Sequence, residues 1–220
     1  MSPMLSRRTL IAALAATSAL PVLPAFAADG DKYSLMELAV PGPIPDLSLG
    51  KADAPVKVYE YASLDCPHCA KFNADVFPLI KEKYIDTGKV QWTMRDFPLH
   101  PVAFAGFMLA RAIANGDAQK YYSMLDVLFA QQDKWVFVDD PSQVLPALQA
   151  IAKQAGFTQE QFEACLKDQK LYAGVNAIKQ RGIDVFKVDG TPTFFINGVE
   201  KSGEIEIDEF AKIVDPLIKS

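Results

Sequence analysis

The stretch Val56-Lys57-Val58-Tyr59-Glu60-Tyr61-Ala62-Ser63-Leu64 is β-rich and partly alternating, which predicts a strand. After it, residues 70–77 place Phe72, Val76 and Phe77 on one side of a helix. That helix is expected to continue past a kink at Pro78 and to stop at Gly88. Residues 90–97 (VQWTMRDF) read as a second strand. From residue 98 to 182 the period changes to that of helices. The first covers 101–114 and ends at Asn115-Gly116; the second covers 117–131, with Tyr121, Met124, Leu125, Leu128 and Phe129 on one face. Asp140 then caps a third helix with Pro141 at its first position, stopping at Gly156. Thr158 and Gln161 form a capping box for a fourth, with Phe157 against Phe162 as a staple. A last helical run over 171–180 ends at Arg181-Gly182. Strand patterns return at 193–196 and 199–202 around Asn197-Gly198, a strong two-residue hairpin signal. Asp208 opens a closing helix through Phe210, Ile213, Val214 and Leu217. The order is strand, helix, strand, helical block, hairpin, helix. It predicts an α/β layer architecture with an inserted all-helical domain.

The first 27 residues do not fit this pattern. Arg7 and Arg8 precede a mostly apolar run from Leu10 to Leu23, and Ala25-Phe26-Ala27 is a small-x-small cleavage site. The run is too short, and too broken by Pro21 and Pro24, to span a bilayer. Ser6-Arg7-Arg8-Thr9-Leu10-Ile11 resembles a twin-arginine export signal, the alternative being an ordinary secretory signal that carries two arginines. Either signal predicts cleavage near Ala27/Ala28 and work outside the cytoplasm, where disulfides persist. The expected organisation is therefore a signal at 1–27, a sheet domain from 28–97 and 183–220, and the helical insert at 98–182. Residues 29–50, with Pro41, Pro43 and Pro45, read as an extended lead-in with a short strand near 46–49. Without Arg7 and Arg8, 20 basic residues face 27 acidic ones. That balance, with no basic run, argues against nucleic acid or an anionic membrane as partner.

The chemistry sits at Cys66-Pro67-His68-Cys69, where the first strand turns into its helix. Helix N-terminal N–H groups lack intrahelical partners and carry the positive end of the dipole, so they favour a thiolate, the form that attacks disulfides. Helix geometry should expose Cys66 at the tip and turn Cys69 inward. A zinc half-site would need a second pair, and the chain has two histidines, His68 and His100, and one further cysteine, Cys165. Haem attachment needs a histidine where Ala70 stands. A structural disulfide closing so small a loop would be a poor staple. A redox-active pair fits best. The dipole supplies about 0.3–2 kcal/mol, and one pKa unit is about 1.4 kcal/mol. A large depression of the Cys66 pKa would therefore need His68 and hydrogen bonds to the sulfur.

Three anchors in order carry a family resemblance: Ala54-Pro55-Val56 leading to the Cys66–Cys69 motif, Phe97-Pro98-Leu99-His100-Pro101, and the run Gly190-Thr191-Pro192-Thr193-Phe194-Phe195-Ile196-Asn197-Gly198. The chain resembles the DsbA-like thiol:disulfide oxidoreductases, which have a thioredoxin fold with a helical insertion. The resemblance implies periplasmic oxidation of newly exported, cysteine-containing proteins and recycling by a quinone-linked DsbB-like membrane partner. The short stretch between the expected cleavage site and the first strand argues for a monomer. No cofactor is expected beyond the Cys66–Cys69 disulfide, and no metal. It also implies that Glu60 is a buried acid exchanging protons with Cys69. Pro67, Thr191 and Pro192 would lie on the substrate side, with a cis Thr191–Pro192 bond whose preceding backbone pairs with substrate. Threonine before that proline recurs in relatives with isomerase or reductase roles, so an isomerase or reductase is one rival reading. A periplasmic Cu(I)-binding protein using both thiols is another. Cys165, on the apolar face of its helix, is expected to be a buried small hydrophobe. His100 is read as a loop or cap residue, and Trp92 and Trp135 as core or groove lining.

Overall fold

The computed structural model describes residues 33–219. The signal at 1–27, with Arg7, Arg8 and the cleavage site, lies outside the described residues. In chain order the elements are α1 (Leu35–Leu38), β1 (Ser48–Leu49), β2 (Val56–Ala62), α2 (Pro67–Asp75), α3 (Phe77–Ile80), β3 (Val90–Asp96), α4 (Pro101–Ala114), α5 (Ala118–Ala130), α6 (Gln132–Trp135), α7 (Val144–Gln154), α8 (Gln159–Lys167), α9 (Gln169–Asp184), β4 (Thr193–Ile196), β5 (Val199–Ser202) and α10 (Ile207–Ile218). The five strands form one sheet in the order β1-β3-β2-β4-β5. β2 pairs parallel with β3 and antiparallel with β4, so it lies at the centre. Six of its seven residues are buried, as expected of a strand covered on both faces. The helical block α4–α9 sits between β3 and β4, as the sequence pattern predicts. No helix among the described residues is long and apolar enough to cross a membrane.

One sheet face carries the larger core. Phe72 and Phe77 of the α2–α3 region meet Trp92 of β3 at ring separations of 5.9 and 5.4 Å, and Phe210 of α10 meets Trp92 at 6.0 Å. The opposite face gathers Leu38, Tyr59, Tyr61, Phe97, Ile178, Phe186, Val188 and Phe195. The insert is tied to the end of β3 by a buried polar cluster: Asp96 accepts from Arg111 Nη2 at 3.0 Å and from the Tyr121 hydroxyl at 2.5 Å, and Arg111 Nη1 reaches Pro45 O at 3.0 Å. Removing one partner of such a buried pair typically costs about 3–5 kcal/mol.

Several boundaries differ from the expectations, each for a local reason. The helix after Cys66 breaks at Val76 and then tightens into α3, followed by a π-turn at Lys81–Ile85. Pro78 has no N–H to donate to the preceding turn, so the break falls two residues before it. Gly88 does take the left-handed conformation, at φ +75°. Asp140 caps a short 3₁₀ turn, Pro141–Gln143, that leads into α7. The last helix of the insert is not confined to 171–180. Asp168 caps it by accepting from Lys170 and Leu171, and it runs through Arg181-Gly182 to Asp184. Gly182 is a close-packing glycine, not a stop: a Cβ there would lie 2.9 Å from the Tyr61 ring and 3.1 Å from Phe97. Asp208 is the second residue of α10, whose N-cap position is Glu206. The lead-in contains α1, and α6 follows directly on α5, neither foreseen. The capping box at Thr158 and Gln161 is present, as is the hairpin turn, with Asn197 at φ 45° and Gly198 at φ +88°.

Candidate active site

β2 ends at Ala62, and the loop Ser63–Asp65 delivers Cys66 to the N-cap position of α2, with Pro67 at the first helical position. Cys66 Sγ accepts the Cys69 backbone N–H at 3.4 Å and lies 3.3 Å from Thr191 O. The Thr191–Pro192 bond is cis and brings that carbonyl over the sulfur. Both sulfurs belong to free thiols. Cys66 was expected to be exposed, yet the residue is only 4% exposed because the 190–192 loop covers it. Cys69 is fully buried.

The two thiols are strongly unequal. Hydrogen bonding from Cys69, and then from Thr191 and the backbone N–H groups of Cys69 and His68, outweighs desolvation and brings the Cys66 thiol down to about 6. Burial pushes the Cys69 thiol well up, reinforced by Cys66 and Glu60. Glu60, in the middle of β2, is 4% exposed; burial raises its carboxyl to about 8 against a hydrogen bond from Trp92 Nε1 at 3.1 Å. Its charge is coupled to both sulfurs. The core indole of Trp92 thus also anchors the acid.

His68 occupies the rim differently from expectation. Among the leading interactions that depress Cys66, the residue acts through its backbone N–H. The ring Nδ1 instead meets Glu204 Oε1 in the loop between β5 and α10. His100 stands at the N-cap of α4 but caps nothing with its side chain. Its ring Nδ1 lies 2.8 Å from Asp65 Oδ2, and its backbone N–H donates to the same oxygen at 3.0 Å. Ser63 donates to Asp65 and accepts from Leu99 N–H at 3.0 Å. From the insert, Gln132 Nε2 donates to Leu64 O at 2.7 Å and to Cys66 O at 3.0 Å.

The structure therefore brings together Glu60, Cys66, Pro67, His68, Cys69, Thr191 and Pro192. Sequence reasoning missed Asp65, Gln132 and Glu204. Asp65 adjoins the motif and could have been noticed as a polar residue between strand and helix. Gln132 and Glu204 carry no local signal. Cys165 is 6% exposed on α8, its thiol pushed up to about 11 by burial, as expected of a buried small hydrophobe. Trp135 is fully buried and donates to Leu128 O at 2.9 Å.

A family model described as Thioredoxin matches residues 44–216. The solved structure of Wolbachia pipientis alpha-DsbA1 is 33% identical, covers 83% of this chain and 95% of its own, and superposes with a TM-score of 0.76. A Bacillus cereus protein named as disulfide bond formation protein D is 31% identical over 78% of each chain. A Rickettsia bellii protein bearing a protein-disulfide oxidoreductase name is 34% identical over 79% of this chain, which spans 65% of that relative's length. The thioredoxin fold with a helical insertion, expected from the sequence, agrees with these likenesses and with the observed sheet.

Proposed function

This chain belongs to the thioredoxin family, among its DsbA-like members, and from that premise we propose that it is a thiol:disulfide oxidoreductase donating its Cys66–Cys69 disulfide to cysteines of exported proteins. The observation that carries this reading is the inequality of the two thiols, with Cys66 acidic at a helix tip and Cys69 buried and hard to ionise. In the oxidised form a substrate thiolate attacks Cys66 Sγ, the Cys66–Cys69 bond breaks, and a mixed disulfide forms. Cys69 leaves as a thiolate, and Glu60, a carboxyl still protonated near neutral pH, is placed to supply its proton. A second substrate thiolate then attacks the substrate sulfur of the mixed disulfide and expels Cys66, the better leaving group because it is the more acidic thiol. Two electrons and two protons pass to the cysteine pair, so the disulfide itself is the redox group.

Thr191 O, beside Cys66, offers an acceptor to an extended substrate strand docking across the sulfur. Pro67 and Pro192 flank that approach without backbone donors of their own. Export, periplasmic work on a single chain, and reoxidation by a DsbB-like membrane partner complete the reading.

One observation favours a rival direction. A Cys66 pKa near 6 lies between the thiol of a strong oxidant, about 3.5, and that of thioredoxin, about 7. Equilibrating Cys66–Cys69 against glutathione decides between them. A potential near roughly −120 mV supports the oxidase, and one near about −270 mV establishes a reductase.

A further inference from the structure

His68 and Glu204 are far apart in sequence and meet at the mouth of the site, His68 Nδ1 on Glu204 Oε1. Both side chains stay partly open to solvent, at 65% and 39% exposure. The charged groups around them come from α2, β5 and α10 and from the loop that joins the last two. Lys71 of α2 lies 4.0 Å from Glu204 Oε2, 4.0 Å from Glu206 Oε1 and 3.4 Å from Asp75 Oδ2. Lys201 of β5 is engaged by Glu209 of α10 at 2.7 Å. The imidazole thus faces a carboxylate that is itself only loosely neutralised by Lys71.

An imidazole within a C-x-x-C motif can stabilise the first sulfur as thiolate only when its N–H or its charge is directed at that sulfur. Here that capacity is directed at Glu204. We propose that Glu204 is a positioning residue that holds the His68 ring away from Cys66 and so limits the oxidising power of the pair. The proposal rests on the reading of Cys66–Cys69 as an exchanging disulfide. Because stabilising the Cys66 thiolate favours the reduced enzyme, releasing the ring shifts the balance toward a stronger oxidant.

The test is the equilibrium in which the enzyme disulfide and two glutathione thiols give the Cys66/Cys69 dithiol and glutathione disulfide. One S–S bond breaks, one forms, and two electrons and two protons move to the enzyme. The constant is measured for the unsubstituted protein, Glu204→Ala and Glu204→Gln, each also with His68→Ala, and Cys66 is titrated through the ultraviolet absorbance of its thiolate. Glu204→Ala should raise the constant about two- to fivefold, the worth of an exposed charge pair, and lower the Cys66 pKa in step. Glu204→Gln keeps an acceptor for the ring but loses the charge, and should fall between. In the His68→Ala background both effects should vanish. No change on removing Glu204, or the same change without His68, overturns the proposal. If the unsubstituted protein fails to exchange with glutathione at all, it is the oxidoreductase reading that fails.

Discussion

The floor and the rim of the site are built from the same kinds of group under opposite conditions. On the floor, Glu60 is 4% exposed and Cys69 and Trp92 are fully buried, so desolvation dominates and acid groups are held protonated. At the rim His68, Lys71, Glu204 and Glu206 stand in water, where each ion pair is worth about 0–1 kcal/mol and is screened by salt. Cys66 belongs to neither set. It is covered by the 190–192 loop yet supplied with donors, and donors win there because the helix tip aims them at the sulfur. The comparison teaches that the sulfur answers first to the donors in contact with it, while the solvated rim can only trim it.

The sharpest break of that comparison is at Cys66. Cys66→Ser should reduce thiol exchange to background, whereas in Cys69→Ser the lone Cys66 thiolate should attack added glutathione disulfide, releasing one glutathione thiolate, and accumulate as the mixed disulfide, visible by mass on non-reducing separation. The floor comes next. A carboxyl raised from 4.5 to about 8 binds its proton more tightly folded than unfolded, so between those values the unfolded chain carries fewer protons and stability falls as pH rises. The loss across that window is on the order of 4–5 kcal/mol at most. Cys66 has the opposite sign: its thiol is lowered from 9 to about 6, so stability of the dithiol form rises with pH between those values. Urea midpoints should therefore fall from pH 6 to 8 for the oxidised form and stay nearly level for the reduced one. Glu60→Gln should remove the slope of the oxidised form.

Smaller still is the effect expected where insert and motif meet. Gln132→Ala removes the side-chain donor from Leu64 O and leaves Cys66 O with only the Ala70 N–H, at about 1–3 kcal/mol, read as a lowered thermal midpoint. At the rim, His68→Ala should move the Cys66 pKa by under about half a unit, a charge pair's worth at most. Lys71→Ala should leave the unfolding midpoint within about 0.5 kcal/mol of the parent. A full-unit change in Cys66 for His68→Ala would erase the distinction between rim and tip.

Much of the fold was legible because its signals are local. The capping box at Thr158, the hairpin turn at Asn197-Gly198 and the strand–helix switch at Cys66 each depend on residues within a few positions. Helix ends were less legible where packing overrode the local signal. Gly182 reads as a stop, yet it lies within α9 because Tyr61 and Phe97 need the space that a side chain would fill. Glu60 is legible through the family resemblance, which matches it to a buried acid in the strand under the motif. The depth of its burial depends on β2 lying between β3 and β4.

By itself the sequence determined the thiol pair, its place at a helix start, the proline that follows Thr191 and the order of strands and helices, since these are written in spacing and periodicity. Tertiary structure alone decided that a carbonyl from residue 191 lies over the sulfur of residue 66, that Gln132 clasps the motif's loop, and that Glu204 takes the ring of His68. Those contacts join residues 66 to 136 positions apart. Their geometry comes from how the sheet and the insert pack together, which no local pattern encodes.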